Sequence, residues 1–527
     1  MIQINKRSIG VCILLSIITF GIYGIYWLYL LVKNTRSIQK NTTSCTGEML
    51  CLIFVPFYSL YWWYTRGEKV KQEFSQHNYA STGNGIVYLI LAIFGLSIVS
   101  MAIMQSDFNS LKSETHSEQR STGLSSFQAL ATAIAAQVGT GNIVGASGAI
   151  LVGGPGAIFW MWVIAFLGMA TIYAEAVLAQ ETRIKDSDGE IHGGPVYYIK
   201  KAFPNGFGTF LAVFFAVATV LALGFMGSMV QSNSIAESCN NAFGIPGWIV
   251  GVIVAVVAAF IFLGGIQRIA SVTEKLVPFM AGLFLLGSLI ILCIRIKNVP
   301  ETIAMIFKYA FTPNALIGGG IGAALKTAVS QGAKRGLFSN EAGMGSTPHA
   351  HAMANVEKPH DQGVVAMIGV FIDTFVVLTM TALVVITCLY TGNGPLAGLS
   401  GDAYIAATSG ETAIVAKTTA MQTAVTSTIP WGNFGNIFVA ICLLFFAFST
   451  IIGWNFFGKL NVQYLFKNKK IATVIYSVVA ICFIFLGSLL KNDLVWELTD
   501  FFNYLMVIPN AIALFALSKL VKKNLKK

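Results

Sequence analysis

The chain has 527 residues, of which 55% are hydrophobic and only 11% are charged, and its mean hydropathy is +0.71. Soluble globular proteins carry about 25% charged residues, so this composition excludes a soluble enzyme, a disordered protein and a nucleic-acid-binding protein. It indicates a chain embedded in a lipid bilayer. The net charge of +11 agrees with this, because surplus Lys and Arg mark the cytoplasmic loops of membrane proteins.

Apolar stretches of about the length that crosses a bilayer recur along the whole sequence. Three of them precede a polar segment at 106–122, and ten follow it. The sequence therefore predicts an all-α polytopic membrane protein with a small N-terminal module at 1–105, a polar linker at 106–122 and a core at 123–522. The stretches lie at 9–32, 48–64, 84–105, 124–150, 156–180, 206–232, 246–266, 272–294, 316–332, 364–390, 433–457, 472–490 and 497–519.

The distribution of loop charges predicts the orientation of the core. Lys and Arg concentrate in alternate loops, as at Lys200 and Lys201 or at Lys467, Lys469 and Lys470, and again in the C-terminal tail. By the positive-inside rule the start of the core and the C-terminus are cytoplasmic, in the plasma membrane of a bacterial-type cell. The charges of the N-terminal module leave open whether it has three full spans or two spans and a re-entrant segment.

A Gly-rich interruption lies near the middle of the first core stretch, where residues 135–148 read AAQVGTGNIVGASG. A helix broken at membrane depth is tolerated only where its freed backbone groups line a cavity or bind a ligand. Freed amides suit a carboxylate, and freed carbonyls suit Na⁺. The alternative is a Gly-rich face for close helix packing, which would not need Gln137 and Asn142.

A second Gly-rich interruption follows in the sixth core stretch, where residues 326–352 read KTAVSQGAKRGLFSNEAGMGSTPHAHA. Broken segments at corresponding positions in two halves predict a five-plus-five inverted repeat with a binding site between the halves. Ser330 and Gln331 are the candidate site residues here. Residues 334–352 fit a cytoplasmic loop equally well, and His349 and His351 favour a solvated loop over a metal site.

Other polar residues within apolar stretches are candidates for ligand contact. Gln231 ends the third core stretch, and Ser449, Thr450 and Trp454 lie in the eighth. The paired hydroxyls either coordinate Na⁺ or bond back to their own helix. Two intramembrane carboxylates, Glu175 and Asp373, are expected to pair with Lys or Arg, with a proton relay as the alternative.

The runs QVGTGNIVGASG, GGPVYYIKKAF, SNEAGMGSTPHAHA and FAFSTIIGWNFFG, in this order, resemble the alanine or glycine:cation symporter family over about residues 122–522. The resemblance implies a LeuT-like fold and Na⁺- or H⁺-coupled transport of alanine, glycine or a similar small amino acid. The extra first helix and Arg-rich stretch of that family are not found. Residues 1–105 instead resemble a small membrane domain of unknown function.

The same resemblance implies the site residues. Substrate contacts are expected at Thr140, Gly141, Asn142, Gln231, Gln331, Thr450 and Trp454. One Na⁺ site is expected from the carbonyls of Ala135 and Val138 with the hydroxyls of Ser449 and Thr450. A second is expected from the Gln137 carbonyl and Asn142.

Three functions remain open from the sequence: a Na⁺-coupled symporter, a proton-coupled symporter, and an amino-acid-sensing or regulatory membrane protein. An enzyme is not expected, because the chain has no G-x-S-x-G, H-E-x-x-H or Walker run. No organic cofactor is expected, and the sequence does not indicate an oligomeric state.

Overall fold

The computed structural model of the protein describes residues 7, 9, 12–13, 16, 22–38, 45–55, 57–76, 85–93, 97–110, 123–186, 190–262, 265–318, 320–410, 413–429 and 431–525. Most of the first half of the apolar stretch at 9–32 and residues 111–122 of the predicted linker lie outside the described part.

The N-terminal module is a helical bundle built around buried aromatic side chains. Its described helices are α1 (Ile22–Ile38), α2 (Cys45–Phe54), α3 (Tyr58–Gln76), α4 (Gly85–Ile93) and α5 (Ser97–Ser110). Its own hydrophobic core contains Trp27, Trp62, Trp63, Tyr88 and Phe108. Within the described residues of this bundle, no single helix is both long and apolar enough to cross a bilayer.

A buried carboxylate connects three helices of this bundle. Glu48 on α2 accepts hydrogen bonds from Arg36 on α1 and from Trp62 and Arg66 on α3, with Arg66 Nη2 2.6 Å from Glu48 Oε1. Removing one partner from a buried ion pair leaves an uncompensated charge. The cluster therefore fixes how α1, α2 and α3 sit relative to one another.

The core consists of long helices joined by short connections. They are α6 (Ser126–Gln137), α7 (Gly141–Gly153), α8 (Ala157–Thr182), a hairpin of β1 (Ile184–Lys185) and β2 (Ile191–His192), α9 (Pro195–Ala202), α10 (Gly206–Phe243), α11 (Gly247–Phe262), α12 (Gly265–Ile294), α13 (Val299–Phe311), α14 (Asn314–Ile317), α15 (Ile321–Asn340), α16 (Pro348–Ala352), α17 (Pro359–Leu389), α18 (Gly401–Thr408), α19 (Ala420–Thr426), α20 (Phe434–Leu465), α21 (Lys470–Gly487), α22 (Asn492–Ala516) and α23 (Ser518–Leu525).

The all-α membrane architecture is confirmed, and each of the ten predicted core stretches forms helix. Seven described helices are long and apolar enough to span a bilayer, and the bent pair α6 and α7 makes an eighth. The shorter α11 and the more polar α15 complete the set of ten. The first and sixth core helices are both broken, as α6–α7 and α15–α16, which is the arrangement that the five-plus-five repeat requires.

Short-range signals explain where the first broken helix starts. Ser125 caps α6 by accepting from the backbone of Gln128, and the Gln128 side chain accepts from the Ser125 backbone in return. Just before this cap, Leu124 pairs with the segment that follows α16, through Leu124 N to Met353 O and Asn355 N to Leu124 O, both 2.8 Å. The two broken helices are therefore joined at this end of the molecule.

Candidate functional site

The break in the first core helix lies where the Gly-rich run predicts it. The helical conformation stops at Val138, whose ψ is 88°, and resumes at Gly141 as a helix bent by 48° from α6. Every residue from Ala135 to Asn142 is buried. The freed backbone groups of this break therefore face protein rather than lipid.

Two side chains bind the freed amides. Asn142 Oδ1 accepts from Gly139 N at 2.9 Å, and Gln231 Oε1 on α10 accepts from Thr140 N at 3.1 Å. Two further oxygens at the break, Gln137 Oε1 and Thr140 Oγ1, are buried and have no hydrogen-bond partner in the described structure. The structure thus brings together five of the predicted residues, two of them with unused hydrogen-bonding capacity.

The four oxygen donors of the expected Na⁺ site also come together. Thr450 Oγ1 lies 3.0 Å from Ala135 O and 3.5 Å from Val138 O, and Ser449 Oγ lies 3.2 Å from Ala135 O. Both hydroxyls are also within hydrogen-bond distance of Phe446 O, at 2.8 and 3.1 Å. The two alternatives left open by the sequence, back-bonding within α20 and contact with the break, therefore occur together.

The second break lies further along the chain than the sequence indicates. α15 continues unbroken through Gly332 and Gly336 as far as Asn340, and the break covers residues 341–347, where Glu341, Gly343 and Gly345 have positive φ angles of 58°, 94° and 76°. This segment is buried, so the interpretation of 334–352 as a solvated loop is wrong.

Gln331 and Ser330 are not brought to this break. Gln331 is partly buried in α15 and its Cβ packs near Gly153, while Ser330 is exposed. Gln331 precedes Glu341 by ten residues, which is about 15 Å along a helix. The structure places it at the far end of α7, away from Asn142 and Thr450.

The expectation of Lys or Arg partners for the intramembrane carboxylates is wrong. Asp373 on α17 accepts from Asn142 Nδ2 at 2.6 Å, from Ser339 Oγ at 3.0 Å and from Thr374 Oγ1 at 2.8 Å. Glu175 on α8 accepts from the backbone of Gly343 and Gly345 and from Asn510. Neutral donors therefore hold both carboxylates beside the two breaks.

The predicted residue Trp454 lies beside the second break. Its Nε1 donates to Glu341, and its ring meets Phe338 edge-on at a centroid distance of 5.8 Å. A Cβ atom on Gly227 of α10 would lie only 2.4 Å from the indole. Trp454 follows Thr450 by one helical turn, so its ring lies on the face of α20 that meets the first break.

Sequence reasoning missed Ser339 and Glu341 as residues of this site. The run SNEAG contains both, and an acidic residue before two glycines within a short apolar segment was the available signal. The histidines of the next run are also buried. His349 stacks between Phe215 and Phe457 and contacts Asn461, and His351 contacts Gln362, which explains their burial without a metal ion.

Comparison with known proteins gives the same family as the sequence runs. The chain matches the model of the sodium:alanine symporter family over residues 67–527, which begins further toward the N-terminus than expected. It is 41% identical to the sodium/alanine symporter AgcS of Methanococcus maripaludis, over 78% of this chain and 86% of AgcS. It is 39% identical to the probable sodium/glutamine symporter GlnT of Bacillus subtilis, over 76% of this chain and 78% of GlnT.

Two further matches concern the fold and the N-terminus. A crystal structure of MhsT in complex with L-phenylalanine superposes with a TM-score of 0.53 at 15% identity, covering 75% of this chain and 90% of MhsT. This likeness shows the LeuT-like fold. Residues 7–57 match a domain of unknown function, DUF4234.

Proposed function

Because this chain belongs to the sodium:alanine symporter family and is a sodium-coupled amino acid symporter, not an enzyme, we propose that its substrates are alanine and glycine. It carries them across the plasma membrane by alternating access between the two repeats, with its C-terminus in the cytoplasm. AgcS, by its name a sodium/alanine symporter, supports this substrate class, whereas the name of GlnT introduces glutamine as the competitor.

The crowding at the first break is the observation that supports a small substrate. Added Cβ atoms would lie 2.3 Å from Thr450 Oγ1 at Gly139, 3.0 Å from Phe338 at Gly141 and 2.4 Å from Trp454 at Gly227. Glycines thus allow the helices and both aromatic rings to approach closely. A site with such walls accepts a hydrogen or methyl side chain and rejects larger ones by overlap.

In this proposal the break binds the zwitterion through its backbone. The substrate carboxylate interacts with the freed amides at Thr140 and Gly141, and Gln231, which already bonds to Thr140 N, takes part in that contact. The amides lie at the N-terminal end of α7, where the helix dipole favours an anion. Trp454 covers the substrate from the α20 side.

One Na⁺ ion binds to the carbonyls of Ala135 and Val138 and to the hydroxyls of Ser449 and Thr450. This donor set consists of oxygens only, as in ion sites built on unwound helices. Phe446 O supports the assignment, because both hydroxyls can donate to it and still direct lone pairs toward an ion between α6 and α20.

A second Na⁺ ion binds near the Gln137 carbonyl and the side chain of Asn142. The structure adds Asp373 to this proposal, because its carboxylate contacts Asn142 Nδ2 and has no Lys or Arg partner. An ion at this place would compensate a buried negative charge, which is costly when it is unpaired. It would also link the first break to α17.

Uptake into proteoliposomes tests the proposal. We expect labelled alanine and glycine to accumulate with an inward Na⁺ gradient and not with a proton gradient alone, and glutamine to be carried poorly. Accumulation driven by protons alone would contradict Na⁺ coupling, and glutamine transport at the rate of alanine would contradict the size argument. Binding without accumulation would favour the sensing alternative.

Thr450→Val is expected to weaken the first Na⁺ site. Valine keeps the shape of threonine but lacks the oxygen next to the Ala135 and Val138 carbonyls, so the Na⁺ concentration for half-maximal uptake should rise by about tenfold or more. Thr219→Val is the matched control, since the printed bond of this buried hydroxyl is to Phe215 O of its own helix. Equal Na⁺ dependence in the two variants would contradict the assignment.

A further inference from the structure

Three buried carboxylates surround the two helix breaks. Glu175, Glu341 and Asp373 are each fully buried, and none of them forms an ion pair with a Lys or Arg of the described residues. A buried charge without a counter-charge is costly, so a transport cycle that brings cations to this place has a use for such groups. The three carboxylates differ in how fully protein donors satisfy them.

Two of them are accounted for by their contacts. Glu175 accepts from Gly343 N at 3.2 Å, from Gly345 N at 3.0 Å and from Asn510, and it thereby holds the turn of the second break in place. Asp373 accepts from three side chains and faces the proposed second Na⁺ ion. Neither has a comparable capacity left for the substrate.

Glu341 has fewer donors than the other two. One carboxylate oxygen accepts from Trp454 Nε1 and the other from the Ser346 hydroxyl, and both donors are neutral. A carboxylate offers about four acceptor positions, so this group retains capacity for a further donor. Its lowest-cost additional partner in a buried site is a cation with N–H groups.

The backbone at Glu341 also indicates a role beyond packing. Its φ is 58°, in the left-handed region that glycine adopts more readily than any other residue, and its N–H closes α15 by bonding to Leu337 O at 2.9 Å. Glycine would satisfy both requirements at lower conformational cost. Strain of this kind is concentrated at functional sites.

The position of Glu341 relative to the first break follows from Trp454. Trp454 and Thr450 share one face of α20, and Thr450 contacts the carbonyls of Ala135 and Val138. The indole is held at Nε1 by Glu341, and its opposite edge abuts Gly227. The Glu341 carboxylate therefore lies at the edge of the space between the two breaks.

We propose that Glu341 is the counter-charge for the α-ammonium group of the substrate, and that it also fixes Trp454 over the bound amino acid. This inference rests on the proposed function. The substrate is then held at both ends, its carboxylate by the amides of the first break and its ammonium by the carboxylate of the second. Substrate binding draws the two repeats together because each repeat supplies one of these contacts.

The binding constants of Glu341→Gln and Glu341→Asp separate a role of charge from a role of shape. Glutamine keeps the size of the side chain and an oxygen for Trp454 Nε1, but it loses the negative charge. Aspartate keeps the charge but is shorter. We expect the Kd for alanine at saturating Na⁺ to rise by about 30-fold or more in Glu341→Gln, and by less in Glu341→Asp.

The opposite order, with Glu341→Asp weaker than Glu341→Gln, would overturn the proposal and leave Glu341 as a structural residue. So would a Kd in Glu341→Gln within threefold of the wild type. Trp454→Phe is the control for ring positioning alone, because it removes only the indole N–H that Glu341 accepts. Each variant is compared as detergent-purified full chain with an unchanged elution profile.

Failure of this proposal can be distinguished from failure of the proposed function. Wild-type protein that neither binds alanine nor accumulates it with Na⁺ would overturn the substrate assignment before any variant is measured. Wild-type protein that accumulates alanine normally, together with an unaffected Glu341→Gln variant, would overturn only the role of Glu341.

Discussion

Replacement of Asn142 by alanine is expected to abolish Na⁺-driven uptake of alanine. The side chain makes two connections at once: Oδ1 accepts from Gly139 N at 2.9 Å, and Nδ2 donates to Asp373 Oδ1 at 2.6 Å. Alanine would leave a buried amide unpaired and would remove a donor from a buried carboxylate. Together these losses correspond to at least about 100-fold in transport, or about 2.7 kcal/mol.

The control for this variant is Ser147→Ala on the same half-helix. Ser147 is buried, and the bond that its hydroxyl donates goes to Ile143 O, one turn earlier in α7. Its removal should leave uptake within about twofold of the wild type, because such back-bonds contribute little. Both variants should be quantified in the membrane before uptake is compared. Uptake by Asn142→Ala at the wild-type rate would remove Asn142 from the site.

The break in the first core helix was predictable from sequence because two independent signals coincide there. Glycines weaken a helix, and Gln137 and Asn142 add polar groups that lipid-facing packing does not require. The structure uses both signals, since Gln137 Nε2 donates to Asn340 O at 2.7 Å and Asn142 contacts Asp373. The prediction succeeded because the same few residues carry the backbone break and its ligands.

The second break could not be placed from sequence because its glycines have two different uses. Gly332 permits close packing on α8, where an added Cβ would lie 2.5 Å from Trp160 Cβ, and Gly336 lies 3.4 Å from Met161 Cα on the same measure. Gly343 and Gly345 instead adopt positive φ angles at the break itself. In sequence the four glycines look alike, so helix packing and helix breaking were not separable.

The partners of the buried carboxylates were also out of reach of sequence reasoning. The general cost of a charge inside a membrane suggested basic partners for Glu175 and Asp373. The structure instead surrounds Glu175 with two backbone amides and Asn510, which is 335 residues away in the chain. Contacts between helices that are distant in sequence depend on the packing of the whole bundle, which no local pattern encodes.

Gly139→Ala is the second change expected to abolish transport, because it affects the Na⁺ site and the substrate site together. The new methyl carbon would lie 2.3 Å from Thr450 Oγ1 and 3.1 Å from Gln231 Oε1. The first distance is shorter than two such atoms allow, so the Thr450 hydroxyl has to rotate. That rotation takes Oγ1 away from the carbonyls of Ala135 and Val138, which we assign as Na⁺ ligands.

The backbone itself does not require glycine at residue 139, since its φ is not positive. The predicted loss therefore arises from the contact alone, and it is specific to this position. Gly148→Ala is the matched control: its added Cβ meets nothing closer than 3.9 Å, the aliphatic chain of Lys417, and uptake should be close to the wild type.

The measurement is the Na⁺ dependence of alanine uptake in the two variants, with alanine binding at saturating Na⁺ as a second reading. In Gly139→Ala we expect at least about a 100-fold fall in uptake that high Na⁺ does not restore, since Gln231 is displaced from Thr140 N as well. Recovery at high Na⁺ would mean that Gly139 serves the ion site only. Unchanged uptake would contradict the placement of both sites at the first break.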